Sequence, residues 1–297
     1  MAIHSRSVRV LAGVTLAAVA VSGFAVPALS ARRQAPAVEA VVRGSDYLAL
    51  GDSVAFGFRD PSTTPPPNYF HATSFTGYPE DVGAALGLHV ANAACPGETS
   101  LSLIYSGVQS NDCENLPGGG PGYRSSYPLH VRYTGTQLQY ALRYLRTHPL
   151  TRLITLMIGE NDAILCQNTT TDHCASETDG VMAQISTDVG VILKSIRHGA
   201  HYLGQIVIEN YYSLDYSNAA DNTASQSLNA TMDTAASPYD VTIADGYAAF
   251  GAAAAQSGGN TCTAGLLTQL SGGGCGVHPS LAGQAVLALA VEQAIKG

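Results

Sequence analysis

Short apolar runs alternate with longer amphipathic segments along most of this chain. The runs lie at residues 47–50, 89–94, 153–158, 205–208 and 239–243. Between and after them, apolar residues recur every three or four positions in four longer segments: 79–86, 136–146, 180–196 and 280–295. Strands that alternate with helices are joined by parallel crossovers, and the helices then cover both faces of the sheet. The pattern predicts an α/β domain around a five-stranded parallel sheet.

The first 30 residues do not fit this pattern. Arg6 and Arg9 precede an uncharged apolar run that ends near residue 26, and the small residues Ala28 and Ser30 follow. This order is typical of a secretory signal peptide cut near Ser30. A retained membrane anchor is the alternative, but the run is shorter than the ~20 residues that a spanning helix needs.

We therefore expect a signal peptide over residues 1–30, a flexible N-terminal spacer over 31–43 and a single globular domain over 44–297. The protein should be secreted and extracellular, with no stable membrane anchor after signal cleavage.

Composition and charge narrow the choice of partners. Apolar residues make up 46% of the chain, which is enough for a large core, and only 12% of residues are charged. Fourteen Lys and Arg face 22 Asp and Glu, giving a net charge of −8. A nucleic-acid binder needs a basic surface to neutralise phosphates, so we expect no nucleic-acid partner. We found no internal repeat and expect a monomer.

The predicted secretion bears on the state of the six cysteines. In an oxidising compartment they indicate disulfides, and spacing favours three local pairs among the fifteen pairings that six cysteines allow. The expected pairs are Cys95 with Cys113, Cys166 with Cys174, and Cys262 with Cys275. Buried free thiols are the alternative. No pair has Cys-x-x-Cys spacing and Asp172-His173-Cys174 lacks a second ligand cluster, so we expect neither a metal site nor a cofactor.

A serine and a histidine stand at chemically useful positions. Gly51-Asp52-Ser53 follows the first predicted strand, and ligands bind at the carboxyl ends of parallel strands. A serine hydroxyl becomes a nucleophile when a base removes its proton, and that base is usually a histidine. His278 lies in a predicted loop just before the last helix, where Ser280 is a suitable N-cap.

Two further turns could stabilise negative charge. Gly97, in the block Cys95-Pro96-Gly97-Glu98-Thr99-Ser100, follows the second strand and could present its backbone N–H. Asn161 follows the third strand and could donate its side-chain amide. Acyl transfer develops an oxyanion, which such donors stabilise.

In this order the blocks around Ser53, Gly97, Asn161 and His278 resemble the SGNH, or GDSL, hydrolase family of serine esterases and lipases, over residues 45–295. The resemblance implies a flavodoxin-like three-layer α/β/α sandwich with a central five-stranded parallel sheet, the SGNH hydrolase fold. It also implies that Ser53 is the nucleophile and His278 the general base and acid. The oxyanion hole would comprise the Ser53 N–H, the Gly97 N–H and the Asn161 side chain.

The resemblance also implies roles for two aspartates, Asp52 and Asp162, but the sequence lacks a third Asp that the family usually has. Asp52 would be structural, and Asp162 would hold the Asn161 loop. The family usually places an Asp three residues before the histidine to orient its imidazole, but that position here is Cys275. The Cys275 carbonyl, held by the Cys262–Cys275 bridge, could accept the Nδ1–H instead, and Asp245 is the remote alternative.

The expected function is secreted ester hydrolysis of the esterase or lipase type. A catalytically weak or inactive binding protein on the same fold is the alternative. The α/β-hydrolase superfamily fits less well, because its nucleophile follows a mid-chain strand in a Gly-x-Ser-x-Gly motif. The substrate could be a small-molecule, lipid, phospholipid or acylated-carbohydrate ester. Tyr211, Tyr212 and Tyr216 would form either a packed loop or a wall of the acyl pocket.

Overall fold

The computed structural model describes residues 38–296. The expected signal peptide and residues 31–37 of the expected spacer lie outside the described residues. Residues 38–43 are irregular in backbone conformation. Within them, the Glu39 N–H donates to the Leu203 carbonyl at 3.2 Å, and the Glu39 carboxylate pairs with Arg152 at 3.0 Å. This end of the predicted spacer therefore contacts the domain.

Five parallel strands form the central sheet, in the spatial order β2-β1-β3-β4-β5. The strands are β1 (Asp46–Gly51), β2 (His89–Asn92), β3 (Thr151–Met157), β4 (Gln205–Glu209) and β5 (Thr242–Ala244). Leu48 of β1 lies opposite Ala91 on one side and Ile154 on the other. This order is that of flavodoxin-like folds, so the predicted fold class is confirmed.

Ten α-helices occur among residues 38–296. They are α1 (Ser53–Phe56), α2 (Tyr78–Leu86), α3 (Ser100–Ile104), α4 (Tyr123–Ser126), α5 (Gln137–Thr147), α6 (Glu160–Thr169), α7 (Thr178–Lys194), α8 (Ala219–Ala236), α9 (Gly246–Ala254) and α10 (Leu281–Ala294). Helices α2, α9 and α10 pack together, as do α3, α5, α7 and α8. Right-handed crossovers place these two groups on opposite faces of the sheet. None of the described helices has the length and apolar character needed to cross a membrane.

Sequence signals explain where the predicted helices begin. The Thr136 hydroxyl accepts a hydrogen bond from the Gln139 N–H and so caps α5, whose Leu138, Ala141 and Tyr144 are buried. The Ser280 hydroxyl caps α10 in the same way by accepting from the Gly283 N–H, as its position predicted. The central strands are buried on both faces, which explains their nearly continuous apolar sequences.

Several predicted boundaries were wrong. The spacing did not reveal α6, α8 or α9, and α8 is rich in Ala, Ser, Asn and Thr, so its apolar stripe is sparse. Strand β5 begins at Thr242, because Pro238 lies in a 3₁₀ turn that precedes it. His278 lies in a strand and not in a loop. That strand, β7 (Cys275–Pro279), pairs antiparallel with β6 (Leu267–Gln269).

The structure contains the three disulfides that the spacing favoured. They join Cys95 to Cys113, Cys166 to Cys174, and Cys262 to Cys275. The third bridge links the chain that follows α9 to the first residue of β7. It therefore anchors the short hairpin that carries His278.

Candidate active site

The four residues singled out by the sequence lie around one pocket. Ser53 follows β1 and Asn161 follows β3, two adjacent strands from which the chain leaves in opposite directions across the sheet. Such a switch point creates a crevice at the carboxyl edge. Gly97 and His278 also line this pocket, which has a volume of about 180 Å³ and which we call the catalytic pocket after the role expected for it.

A glycine is required immediately before the Asp52-Ser53 turn. Gly51 has φ +141°, and a Cβ atom there would lie 2.3 Å from the Met157 carbonyl oxygen. The buried Gln137 side chain fixes the Gly51 peptide from both sides, since it accepts from the Gly51 N–H and donates to the Gly51 carbonyl, each at 2.8 Å. Ser53 then begins α1 at the pocket wall.

The hydrogen bonds of Asp52 are to Val54 and Tyr211 and not to Ser53 or His278. Asp52 caps α1 by accepting from the Val54 N–H at 2.9 Å, and it accepts a second hydrogen bond from the Tyr211 hydroxyl. Burial raises the pKa of Asp52 to about 6, although both hydrogen bonds act in the opposite direction. These contacts are those of a structural residue.

Asn111, which the sequence analysis did not identify, connects two of the proposed oxyanion donors. Its backbone N–H donates to the Gly97 carbonyl and its side-chain amide donates to Asn161 Oδ1, each at 2.8 Å. Gly97 has φ +78°, and a Cβ there would lie 2.3 Å from the Asn111 carbonyl oxygen. The signal that could have found Asn111 is its place two residues before Cys113, in the loop closed on Cys95.

With its oxygen occupied, the Asn161 amide keeps its N–H donors for the pocket. Across residues 38–296, neither the Asn161 amide nitrogen nor the backbone N–H of Ser53 or Gly97 donates to another protein group. Three N–H donors from three different loops therefore line one pocket without internal partners, as an oxyanion hole requires.

Asp162 joins two of these loops. Its carboxylate accepts from the Ser100 N–H at 2.8 Å and from the Ser100 hydroxyl at 2.7 Å, so the start of α6 is tied to the start of α3. Burial raises the pKa of Asp162 to about 6. This geometry supports the expectation that Asp162 holds the Asn161 loop.

His278 is positioned mainly by packing and by its backbone. The Phe58 ring meets the His278 ring edge to face, with centroids 4.9 Å apart. The Tyr212 hydroxyl donates to the Val277 carbonyl at 2.7 Å, and the Thr268 hydroxyl donates to the His278 carbonyl at 3.2 Å. Sequence reasoning gave neither Phe58 nor Tyr212 this positioning role.

The group that orients the imidazole stays a prediction. Within the described part of the chain, the His278 ring forms no hydrogen bond, either with the Cys275 carbonyl or with any other group. Asp245 caps α9 and accepts from the Asn210 side chain. Burial lowers the pKa of His278 to about 4, and the negative charge of Asp60 opposes that shift. Asp60 is therefore a nearby carboxylate that sequence reasoning did not consider.

Glu160 and Tyr212 lie where the catalytic pocket meets a second, larger cavity. Glu160 and Tyr212 line both, whereas Tyr211 lines only the larger one. Burial and the negative charge of Asp52 raise the pKa of Glu160 to about 8.

The buried Asn229 side chain holds the tyrosine loop, since it accepts a hydrogen bond from the Tyr211 N–H and donates one to the Tyr211 carbonyl, each at 2.8 Å. Tyr216 lines neither cavity.

Two clusters of potential metal ligands occur among the described residues. They are Cys95, Glu98 and Cys113, and Cys166, Cys174 and Glu177. In each, the two cysteines are joined in a disulfide, and metals bind the thiolate form. Their chemistry is therefore unsuited to holding an ion.

Comparisons with known proteins agree with this fold. The model of the GDSL-like lipase/acylhydrolase family matches residues 49–286. No curated protein matches the chain in sequence. An acetylxylan esterase from Geobacillus stearothermophilus shares the fold with a TM-score of 0.52 at 16% identity, covering 87% of this chain and 97% of the esterase. An alpha/beta hydrolase enzyme from the metagenome of Lake Arreo, Spain, has the same TM-score and identity, covering 86% and 96% of the two chains.

Proposed function

The chain belongs to the GDSL-like lipase/acylhydrolase family, and we propose that it is a secreted carboxylic ester hydrolase that acts through Ser53 and His278. The observation that carries this proposal is the single pocket lined by Ser53, His278, Gly97 and Asn161. These residues come from four separate segments of the chain. A nucleophile, a base and oxyanion donors around one small cavity are the requirements of acyl transfer to serine.

The first half of the reaction acylates the serine. The neutral His278 imidazole accepts the Ser53 hydroxyl proton while Ser53 Oγ attacks the ester carbonyl carbon. The carbonyl oxygen becomes an oxyanion, stabilised by the N–H groups of Ser53 and Gly97 and by the Asn161 amide. The tetrahedral intermediate then expels the alcohol, which takes its proton from the His278 imidazolium, and an acyl-enzyme remains.

The second half hydrolyses the acyl-enzyme. His278 removes a proton from a water molecule, whose oxygen attacks the same carbonyl carbon, and the same N–H groups hold the second oxyanion. Collapse of this intermediate returns the proton from His278 to Ser53 Oγ and releases the carboxylic acid. The low pKa of His278 keeps its imidazole neutral, as both halves require of the base.

The test is covalent labelling of the nucleophile. The secreted protein is incubated with nitrophenyl butyrate before and after treatment with a serine-reactive phosphonate, and the labelled peptide is identified by mass spectrometry. We expect hydrolysis to stop when one equivalent of phosphonate is bound to Ser53. Hydrolysis that survives stoichiometric labelling of Ser53 would contradict the mechanism. Folded protein that hydrolyses no ester would favour the inactive binding protein instead.

A further inference from the structure

A larger cavity adjoins the catalytic pocket. It has a volume of about 900 Å³ and lies among α6, α7 and the beginning of α8. Ligand pockets in proteins measure roughly 300–1,000 Å³, so this cavity is large enough for an extended ligand. The catalytic pocket, at about 180 Å³, falls below that range. It can hold an ester group with a short acyl or alcohol part, but a longer substituent must extend elsewhere.

The buried wall of the cavity is apolar, and most of its polar lining residues are exposed. Leu228, Tyr211 and Tyr212 are buried in its wall, and Ile164 and Met182 are partly buried. Most of its polar lining residues are exposed, namely Gln167, His173, Thr178, Thr223 and Ser227, whereas Glu160, Asp221 and Ser225 are partly buried. This arrangement suits a hydrocarbon chain, which is stabilised by removal from water along its whole length.

The charge of the lining argues against other occupants. Within residues 38–296, neither Lys nor Arg lines this cavity, so a phosphate or a sugar acid would find no counter-ion there. Tyr212 is not a free stacking platform for a sugar ring, because its own ring is stacked on Phe250 at 4.3 Å and its hydroxyl is bonded to Val277.

The two cavities adjoin one another and share part of their lining. Glu160, Ile164, Tyr212 and Val277 line both, and Val277 is the neighbour of His278. An acyl chain on Ser53 that extends past these four residues would enter the apolar cavity. Because the shared lining lies beside Ser53 and His278, the occupant that this placement indicates is the substrate itself.

We propose that this cavity binds the acyl chain of the ester, so that the preferred substrates are esters of long-chain fatty acids. This proposal rests on the proposed function for its chemistry, but binding to the cavity can be measured without catalysis. Each methylene buried in the cavity should raise kcat/KM about threefold to fourfold until the chain reaches its end.

The first experiment measures binding alone. The fluorescent ester methyl cis-parinarate is titrated into the folded Ser53→Ala protein and then displaced with methyl palmitate. We expect saturable binding that Ala224→Trp, added to Ser53→Ala, weakens at least tenfold. Ala224 is an exposed residue of α8 that lines the cavity. The matched control is Ala230→Trp in the same background, because Ala230 is exposed on the same helix and does not line the cavity.

The second experiment measures selectivity. The ratio of kcat/KM for nitrophenyl palmitate to that for nitrophenyl acetate should exceed ten in the wild-type protein. It should fall at least tenfold in Ala224→Trp and stay unchanged in Ala230→Trp. If Ala224→Trp fails to fold by circular dichroism, Ala163→Phe on α6 fills the same cavity and replaces it.

The two proposals can fail separately. Probe binding that Ala224→Trp weakens, in a folded wild-type protein that hydrolyses no ester, would support the cavity and overturn the catalytic proposal. Ser53-dependent hydrolysis of acetate with no probe binding and no effect of chain length would overturn the cavity proposal alone. Equal effects of Ala224→Trp and Ala230→Trp would also overturn it.

Discussion

The side-chain amide of Asn111 donates a hydrogen bond of 2.8 Å to Asn161 Oδ1, while the Asn111 backbone holds the Gly97 carbonyl. One residue outside the family motif thus fixes two loops that carry proposed oxyanion donors. Its effect on catalysis would be indirect, through the direction in which the Asn161 N–H groups point.

Asn111→Ala should therefore lower kcat by roughly 10- to 100-fold with little change in KM, because a donor displaced by about 1 Å loses much of its effect. Asn161→Ala should lower kcat by about 10²–10³. The double variant should match Asn161→Ala, since the two residues act as one unit. Steady-state kinetics on nitrophenyl butyrate test this, with the exposed Asn168→Ala as the control. Additive losses would show that Asn111 does not act through Asn161.

Ser53→Ala and His278→Ala should each remove nearly all esterase activity, by on the order of 10⁶ in kcat, and the double variant should lose no more. Neither side chain forms a hydrogen bond with another described residue, so Ser53→Ala should keep a melting temperature close to that of the wild type. His278→Ala also loses the ring contact with Phe58 and should lower it by a few degrees. Ser126→Ala, an exposed serine that does not line the catalytic pocket, serves as the control. Substantial turnover in Ser53→Ala would reject the mechanism.

The orienting group can be identified by removing carboxylate charge. If the Cys275 carbonyl orients His278, Asp60→Asn and Asp245→Asn should each keep kcat within a few-fold of wild type. An Asp that orients the catalytic histidine should instead cost about 10⁴ on replacement by Asn. Measuring kcat for both variants separates three candidates, because a large loss in only one variant identifies that residue.

The acid limit of activity should reflect the burial of His278. Catalysis needs the neutral imidazole, and burial lowers the His278 pKa to about 4, so kcat/KM should fall only as the pH approaches 4. The negative charge of Asp60 opposes this shift, so Asp60→Asn should move the acid limit lower still. A pH series of kcat/KM with nitrophenyl butyrate measures both. An acid limit near the ordinary histidine value of about 6.5 would contradict the expected desolvation.

The alkaline side should depend on Glu160 and on acyl chain length. With a pKa raised to about 8, Glu160 is neutral below that pH and acquires a charge above it, at the junction of the two cavities. A charge there disfavours an apolar chain. The palmitate-to-acetate ratio of kcat/KM should therefore fall above pH 8, and Glu160→Gln should abolish that fall. A fall that persists in Glu160→Gln would assign it to another group.

The sequence predicted those strands and helices whose burial pattern or cap is visible within a short stretch of the chain. Strands β1 and β3 are buried on both faces and give continuous apolar runs, and α5 combines a cap with an apolar stripe. Helix α8 could not be recognised because it packs with small and polar residues. Strand β7 follows Gly272-Gly273-Gly274, so its sequence suggests a loop although the chain pairs with β6.

In the candidate site, too, some residues could be predicted from short sequence blocks and others could not. Ser53, Gly97, Asn161 and His278 each occur beside the end of a strand or the start of a helix, and their blocks are visible in sequence. Asn111, Phe58 and Tyr212 contact the site only because the chain folds back through space. Such contacts depend on tertiary packing, which a single sequence does not encode locally.

The hydrogen bonds of Asn229 affect how the protein can be produced. Asn229-Ala230-Thr231 and Asn168-Thr169-Thr170 both match the acceptor sequence for N-linked glycans, which attach to surface loops. The Asn229 amide is buried and bonds both sides of the Tyr211 peptide, so a sugar on its nitrogen is incompatible with the folded chain. Asn168 is exposed and adjoins Gln167 at the rim of the larger cavity. In a glycosylating eukaryotic host, the chain would thus have to fold and bury Asn229 before a glycan is attached to it. A bacterial host without N-linked glycosylation avoids this competition between folding and modification.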